Sequence, residues 1–261
     1  MSIPPPKQHN ILLLGDSCRD KYHFGTCIGL SPEAPVPLFK LEYSEVKPGM
    51  AANVEKNLLS FGNKVKLVTN PLEKITKERF IEARTKQQLL RMDTGESHPL
   101  SPLPKADLDI DGYDCVVISD YNKGTLPFEM CKYIGLQCAE KNIPLFVDSK
   151  KHDLSCFEDA IIKINEKESN AVLKRPSKCD MIITLGESGA RWGQLWIQST
   201  KTEVFDVCGA GDTFFAALVE EYMNSRAIQF ANLCAAITVS KIGSYFLTPQ
   251  EVEQIRKKHD A

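Results

Sequence analysis

A three-layer α/β/α fold, with a mostly parallel central sheet and a small β flap, is what this sequence predicts. Three observations predict it. Short Ile/Val/Leu runs recur without polar alternation, as strands buried on both faces of a parallel sheet do. Helical patterns lie between several of these runs, which argues for helices stacked on the sheet. Two further stretches alternate or stay polar, which suits half-exposed antiparallel strands outside that sheet.

The apolar runs are Asn10–Leu14, Lys64–Thr69, Tyr113–Ser119, Ile143–Asp148, Ile161–Asn165 and Met181–Leu185. Ala51–Phe61 is helical because Val54, Leu58 and Phe61 fall on one face at a period near 3.6. Pro127–Lys141 is a second helix, Asp212–Met223 a third with Phe214, Leu218 and Tyr222 aligned, and Ile228–Ile242 a fourth. The two outliers are Pro35–Lys47, where Val36 and Leu38 alternate with polar positions, and Arg79–Asp93. Both flank the turn at Gly49, so they form one flap, with strands drawn from about 22–48 and 77–93. With no repeat and no long linker, 1–261 is expected to be a single domain.

Composition excludes several function classes. The chain of 261 residues is 43% hydrophobic and 25% charged, with a net charge of -2, so nothing draws it to nucleic acid or an anionic membrane. No apolar run approaches the roughly 18 residues of a membrane span, and the Met1–Lys7 start lacks a signal-peptide profile. Nine Cys, an odd number without a CxxC pair, read as reduced thiols in a cytoplasmic protein.

The chemistry concentrates in Val204–Phe215. A Gly209-Ala210-Gly211 turn entering an amphipathic helix leaves backbone N–H groups free at a positive helix end, where an anion can sit. Asp212 there would repel a phosphate. It fits if the carboxylate takes a proton from a hydroxyl while the amides hold the charge on a transferring phosphoryl group. Alternatively, Asp206 and Asp212 are N-caps.

Asp206-Val-Cys-Gly-Ala-Gly-Asp-Thr-Phe214 resembles the C-terminal signature of the PfkB/ribokinase family of sugar kinases, and the resemblance runs in order along nearly the whole chain. It includes Gly15-Asp16-Ser-Cys-Arg-Asp20, Asn165-Glu-Lys-Glu168 and Thr184-Leu-Gly-Glu-Ser-Gly189. Ser31–Pro37, Lys47–Asn53, Gln87–Asp93, Ser119–Gly124 and Val147–Lys150 are similar to one branch, the kinases of ADP-heptose synthesis. That branch phosphorylates D-glycero-β-D-manno-heptose 7-phosphate at O1.

The resemblance implies a ribokinase-like fold, ATP and Mg²⁺, and a homodimer paired through the flap. It makes Asp212 the general base, with the amides of Gly209, Ala210 and Gly211 as the anion hole. Asp16, Asp20, Gly49, Asn53, Arg91, Asp120 and Lys123 are implied on the sugar phosphate. Lys150, Asn165, Thr184, Gly186, Gly189 and Asn232 are implied on the nucleotide. Asn165 and Glu168 would organise Mg²⁺ through water, and Asp206 a monovalent cation such as K⁺. The alternative for Asp16 is a loop cap, and Arg91 either forks onto the substrate phosphate or is a solvated flap residue. The five His match no motif and read as surface residues.

The chain also departs from the pattern. Gly49-Met50 stands where the family has Gly-Gly. A positive φ at Met50 would strain the turn; otherwise Met50 narrows the sugar pocket. Asn70–Thr76 crosses almost directly where relatives make a longer excursion, Leu173–Cys179 replaces a helix, and no fused nucleotidyltransferase domain is expected. These departures keep two rivals in view: kinase chemistry on another sugar or nucleoside, and a sugar-phosphate-binding or interaction protein without turnover.

Overall fold

The computed structural model describes residues 8–222 and 226–260; the Met1–Lys7 start and Met223 lie outside them. In chain order the strands β1 (Asn10–Gly15), β2 (Ser17–Leu30) and β3 (Pro37–Met50) come first, then α1 (Ala51–Ser60) and β4 (Lys64–Thr69). β5 (Thr76–Glu82), β6 (Gln88–Thr94), β7 (Cys115–Asp120), α2 (Phe128–Lys141) and β8 (Leu145–Ser149) follow. The chain continues through β9 (Ile161–Asn165), α3 (Glu166–Ala171), β10 (Asp180–Thr184), β11 (Ala190–Trp192) and β12 (Leu195–Ile197). It closes with α4 (Ala210–Glu221), α5 (Ala227–Val239) and α6 (Pro249–Asp260).

The large sheet has the order β12-β11-β10-β9-β8-β7-β1-β4, and its pairings are parallel from β4 to β10. Each strand feeds two cores, because successive side chains point to opposite faces. Ile11, Leu13, Val117, Phe146 and Ile182 pack with α1, α4 and α5 on one side. Leu12, Leu14, Val116, Ile118, Val147 and Ile162 pack with α2 on the other. That second layer is thin: the loop residues Leu103, Leu108, Ile110, Leu154 and Phe157 complete the cover beside α2.

The small sheet has the order β3-β2-β5-β6 and corrects the expected flap. Its first strand starts at Ser17, directly after β1, so the flap spans Ser17–Met50 rather than 22–48. The stretch 77–93 is not one strand but the hairpin β5–β6, and β5 runs parallel to β2. Its polar sequence hid the turn, because β6 is exposed along its whole length and carries no buried face to mark a period.

Two other elements went unread. The antiparallel β11–β12 hairpin is too short for a periodic signal, and α6 buries only a narrow stripe at Val252, Ile255 and His259. His259 is therefore not a surface residue; its ring stands edge-on to Phe230 at 5.4 Å. The helix expected at 228–242 ends at Val239, capped by Ser240 before a turn at Gly243. No helix among the described residues is long and apolar enough to cross a membrane.

Candidate functional site

Parallel strands place their following loops together at one edge, which is where α/β sheets gather ligands. Here β1 ends at Gly15–Asp16, β7 at Asp120–Tyr121, β8 at Asp148–Ser149, β9 at Asn165 and β10 at Thr184. The N-terminus of α4 closes over that edge from the helical side. Gly209 takes a left-handed φ of 78°, and a Cβ there would stand 2.9 Å from Asn53 Nδ2, so the turn needs glycine.

Asp212 lies in the first turn of α4 and is not its N-cap, which removes the capping alternative. Its carboxylate is buried, 6% exposed, and takes two hydrogen bonds: from Asn53 Nδ2 at 3.0 Å and from Tyr121 Oη at 2.8 Å. Burial pushes its pKa up to about 6, with the two hydrogen bonds acting against that rise. The Oδ1 of Asn53 is itself buried without a partner. Beside the helix end, Lys163 is buried in β9 and paired with Asp148 at 2.7 Å. A Cβ on Gly211 would stand 3.2 Å from its ammonium, so Lys163 puts a fixed positive charge beside the Gly209–Gly211 amides. Burial opposes that charge, but Asp148, with Glu168 and Asp212, outweighs it and holds the pKa above the ordinary Lys value.

A continuous path leads from Asp212 through Tyr121 to the residues expected on the nucleotide. The Lys150 ammonium sits 4.0 Å from the centre of the Tyr121 ring and 4.0 Å from Glu168 Oε1. Asn165 and Glu168 form a capping box: Asn165 Oδ1 accepts from Glu168 N–H at 2.8 Å, and Glu168 Oε2 from Asn165 N–H at 2.9 Å. Thr184 lies beside Asn165 in register, and Gly186 and Gly189 shape the turn into β11. Asn232 of α5 donates to the carbonyls of Ile197 (3.4 Å) and Gln198 (3.2 Å), so it ties down the segment after β12.

Among the residues expected on the sugar, Asp16 is fully buried, accepting from Thr125 Oγ1 at 2.6 Å and Lys123 N–H at 3.1 Å. Burial holds its pKa above the usual carboxylate value. Three residues expected on substrate are committed elsewhere. Asp20 pairs with buried Arg79 at 2.7 Å and accepts from Ser244 Oγ at 2.6 Å, stitching β2 to the chain before α6. Asp120 caps Asn122 N–H and accepts from Ser149 Oγ at 2.7 Å and Lys151 Nζ at 3.0 Å. Arg91 lies on exposed β6 in a forked pair with Asp93, both bonds 2.7 Å. Gly49 serves close approach, since a Cβ would meet Asp20 Oδ2 at 2.4 Å. Met50 does carry a positive φ, 59° with ψ −132°, and packs at 4% exposure against Cys18 and Ile75, beside Tyr121. Asp206 ties its loop, accepting from Cys208 N–H and Gly243 N–H, both at 2.9 Å.

Sequence reasoning passed over Tyr121, Asp148 and Lys163. The first two lie inside stretches it had singled out, Ser119–Gly124 and Val147–Lys150. Lys163 was visible as the lone charge in the apolar run Ile161–Asn165.

The bifunctional protein HldE of Campylobacter concisus (strain 13826) is 32% identical, with 95% of this chain and 65% of the relative covered. That of Pseudomonas putida (strain GB-1) is 30% identical over 100% of this chain and 66% of the relative. The chain thus spans about 65% of the length of such relatives. The first alignment runs over 305 positions against 261 residues here, so the relative carries segments this chain lacks. Among solved structures, phosphofructokinase-2 from Escherichia coli in complex with potassium is similar at a TM-score of 0.75 and 14% identity, covering 97% of this chain and 100% of that one. Arabidopsis thaliana ribokinase complexed with ribose and ATP gives 0.67 and 14%, covering 96% and 99%. These likenesses show a ribokinase-like fold. Residues 63–251 match the family model described as pfkB family carbohydrate kinase, and the chain belongs to that family.

Proposed function

We propose that this chain is an ATP-dependent sugar kinase that transfers the γ-phosphoryl group to the anomeric hydroxyl of D-glycero-β-D-manno-heptose 7-phosphate. One observation carries the reading: a buried carboxylate, Asp212, stands in the first turn of α4 beside the Gly209–Gly211 amides, held from both sides by Asn53 and Tyr121. The similarity to HldE proteins along 95% of the chain supports the heptose.

In this reading the acceptor hydroxyl donates to Asp212, which removes its proton as the bond to phosphorus forms. With a pKa of about 6 the carboxylate is ionised at neutral pH and basic enough to share that proton. The unpaired Asn53 Oδ1 accepts from a second sugar hydroxyl. Amides of Gly209, Ala210 and Gly211, with Lys163 behind them, stabilise the charge on the transferring group. Lys150 faces the phosphates of the nucleotide, while Thr184, Gly186, Gly189 and Asn232 shape its groove.

The residues fit Mg²⁺ held through water. Asn165 Oδ1 and one Glu168 oxygen are spent on the capping box, leaving Glu168 Oε1 as the carboxylate oxygen at that corner. Among the described residues no group of three or more metal-ligating side chains exists. A hard cation that keeps its waters and leans on phosphates suits such a corner, and it would neutralise phosphate charge. Asp206 is engaged by two backbone N–H groups, so no step is routed through K⁺. The flap exposes Leu38, Leu41, Tyr43, Val46, Leu90 and Met92, which supports its burial against a second copy in a homodimer.

The test is ADP release with Mg-ATP and heptose 7-phosphate, run beside fructose 6-phosphate and ribose. Turnover on the heptose alone supports the reading. Turnover on another sugar keeps the base and replaces the substrate, a second reading that the strained Met50 beside the pocket favours. ATP binding without turnover on any of them overturns the kinase assignment for these sugars.

A further inference from the structure

Arg91, the flap cation expected to meet the acceptor's own phosphate, is closed onto Asp93, yet other positive charges crowd the acceptor side. Lys77, on β5, and Lys123, in the loop after β7, both turn their ammonium groups onto one carboxylate, Glu96. Lys123 Nζ lies 2.7 Å from Glu96 Oε2, and Lys77 Nζ 3.6 Å from Glu96 Oε1. Both lysine side chains are mostly buried, 13% and 26% exposed. Glu96 Oε1 is shut away from solvent and accepts no hydrogen bond.

These lysines stand next to the proposed reaction centre. Lys77 Nζ lies 5.7 Å from the centre of the Tyr121 ring, and the Tyr121 hydroxyl donates to Asp212. Lys123 donates its backbone N–H to Asp16. Lys150 approaches the same ring, at 4.0 Å, adding a third positive charge. Glu168 faces Lys150, but a single carboxylate, Glu96, one of whose oxygens makes no hydrogen bond, answers both Lys77 and Lys123 incompletely. A phosphomonoester brings three acceptor oxygens and nearly two negative charges, and so satisfies both lysines better.

We propose that Lys77 and Lys123 form the subsite for the phosphomonoester of the acceptor sugar, and that Glu96 is an internal anion that holds this subsite until the substrate phosphate displaces it. The inference rests on the reading of the chain as a sugar-phosphate kinase and names the residues that make it require the phosphate. Glu96 lies outside the strands, in the segment after β6, so its release breaks no strand pairing. The carboxylate also excludes acceptors that lack a phosphate, because they offer nothing to replace it.

The experiment uses the full chain with Mg-ATP and two acceptors, heptose 7-phosphate and the unphosphorylated heptose, in wild type, Lys77→Met and Glu96→Gln. A thermal-shift titration with inorganic phosphate runs alongside. The expected result is a rise of about 10-fold or more in KM for the phosphorylated acceptor in Lys77→Met, with KM for ATP within about two-fold. Glu96→Gln lowers the same KM and strengthens the thermal shift produced by inorganic phosphate. Unchanged acceptor KM in both variants, while wild type prefers the phosphorylated sugar, overturns the subsite and leaves the kinase reading intact. Equal or better wild-type turnover of the unphosphorylated heptose overturns the sugar-phosphate reading and the subsite with it. If Lys77→Met does not fold or wild type turns over neither sugar, the phosphate titration decides: no larger shift in Glu96→Gln than in wild type overturns the proposal.

Discussion

Tyr121 reaches across from the loop after β7 and donates its hydroxyl to Asp212 at 2.8 Å, while the Lys150 ammonium rests on the face of its ring. The phenol thus joins the carboxylate on α4 to the corner formed by Asn165 and Glu168. Its hydrogen bond favours the charged form of Asp212 and opposes the effect of burial. Tyr121→Phe therefore moves the acidic limb of the kcat profile upward from about pH 6, because the donor that stabilises the carboxylate is gone. A pH–rate profile checks this, and an unmoved limb removes Tyr121 from the electrostatics of Asp212.

Asp212→Asn is expected to lower turnover by about 10²–10⁴-fold, the usual span for a lost general base, with ATP binding nearly unchanged. The same variant should be more stable than wild type at pH 8. The folded-state pKa of about 6 lies above the unfolded value near 3.8, so the folded protein loses stability as pH rises between them. That loss is on the order of 2–3 kcal/mol and is absent once the group is neutral. Asn53 can also turn its unpaired Oδ1 toward the new amide. Thermal melts at pH 8 and pH 4 check the prediction: the advantage of the variant shrinks at the lower pH.

Met50 inverts a familiar ranking. Truncating a buried Met costs about 2–5 kcal/mol in packing, whereas its positive φ stores about 1–3 kcal/mol of strain. Met50→Ala loses the packing and keeps the strain; Met50→Gly loses the packing and releases it. The Gly variant should therefore be the more stable of the two, which urea unfolding of both would read directly.

Arg79→Leu should cost about 3–5 kcal/mol, because it leaves the Asp20 carboxylate buried without its cation. The loss falls on the seam between the flap strand β2 and the segment before α6, where Ser244 shares the same carboxylate. Denaturant midpoints measure it. A change under about 1 kcal/mol, the scale of an exposed ion pair, would mean that this pair is solvated.

The central sheet was legible because its strands are buried on both faces and so carry unbroken apolar runs; Lys64–Thr69 and Ile161–Asn165 were read to the residue. The helices α1 and α2 were legible for the complementary reason, a single apolar face at helical spacing. The hairpin β5–β6 and the helix α6 were not, since neither presents enough buried side chains to impose a period. For the candidate site, the order of short motifs pointed to a set of loops, and the structure places Asp212, Asn53, Asp16, Asn165 and Glu168 near the carboxyl ends of the strands.

Sequence alone determined the layered fold, the family pattern and the carboxylate next to the Gly209–Gly211 turn. Local chemistry is enough for those, because period, turn residues and motif spacing are properties of neighbouring positions. Tertiary structure decided which charged groups are free to act. Asp20, Asp120 and Arg91 are each neutralised by partners such as Arg79, Lys151 and Asp93, whereas Tyr121 and Lys163, unremarked in the sequence, arrive beside Asp212 and Gly211. The strength of a charge depends on what is buried around it and what pairs with it. Those neighbours come from strands and helices far apart in the chain, so folding had to bring them together before the site could be read.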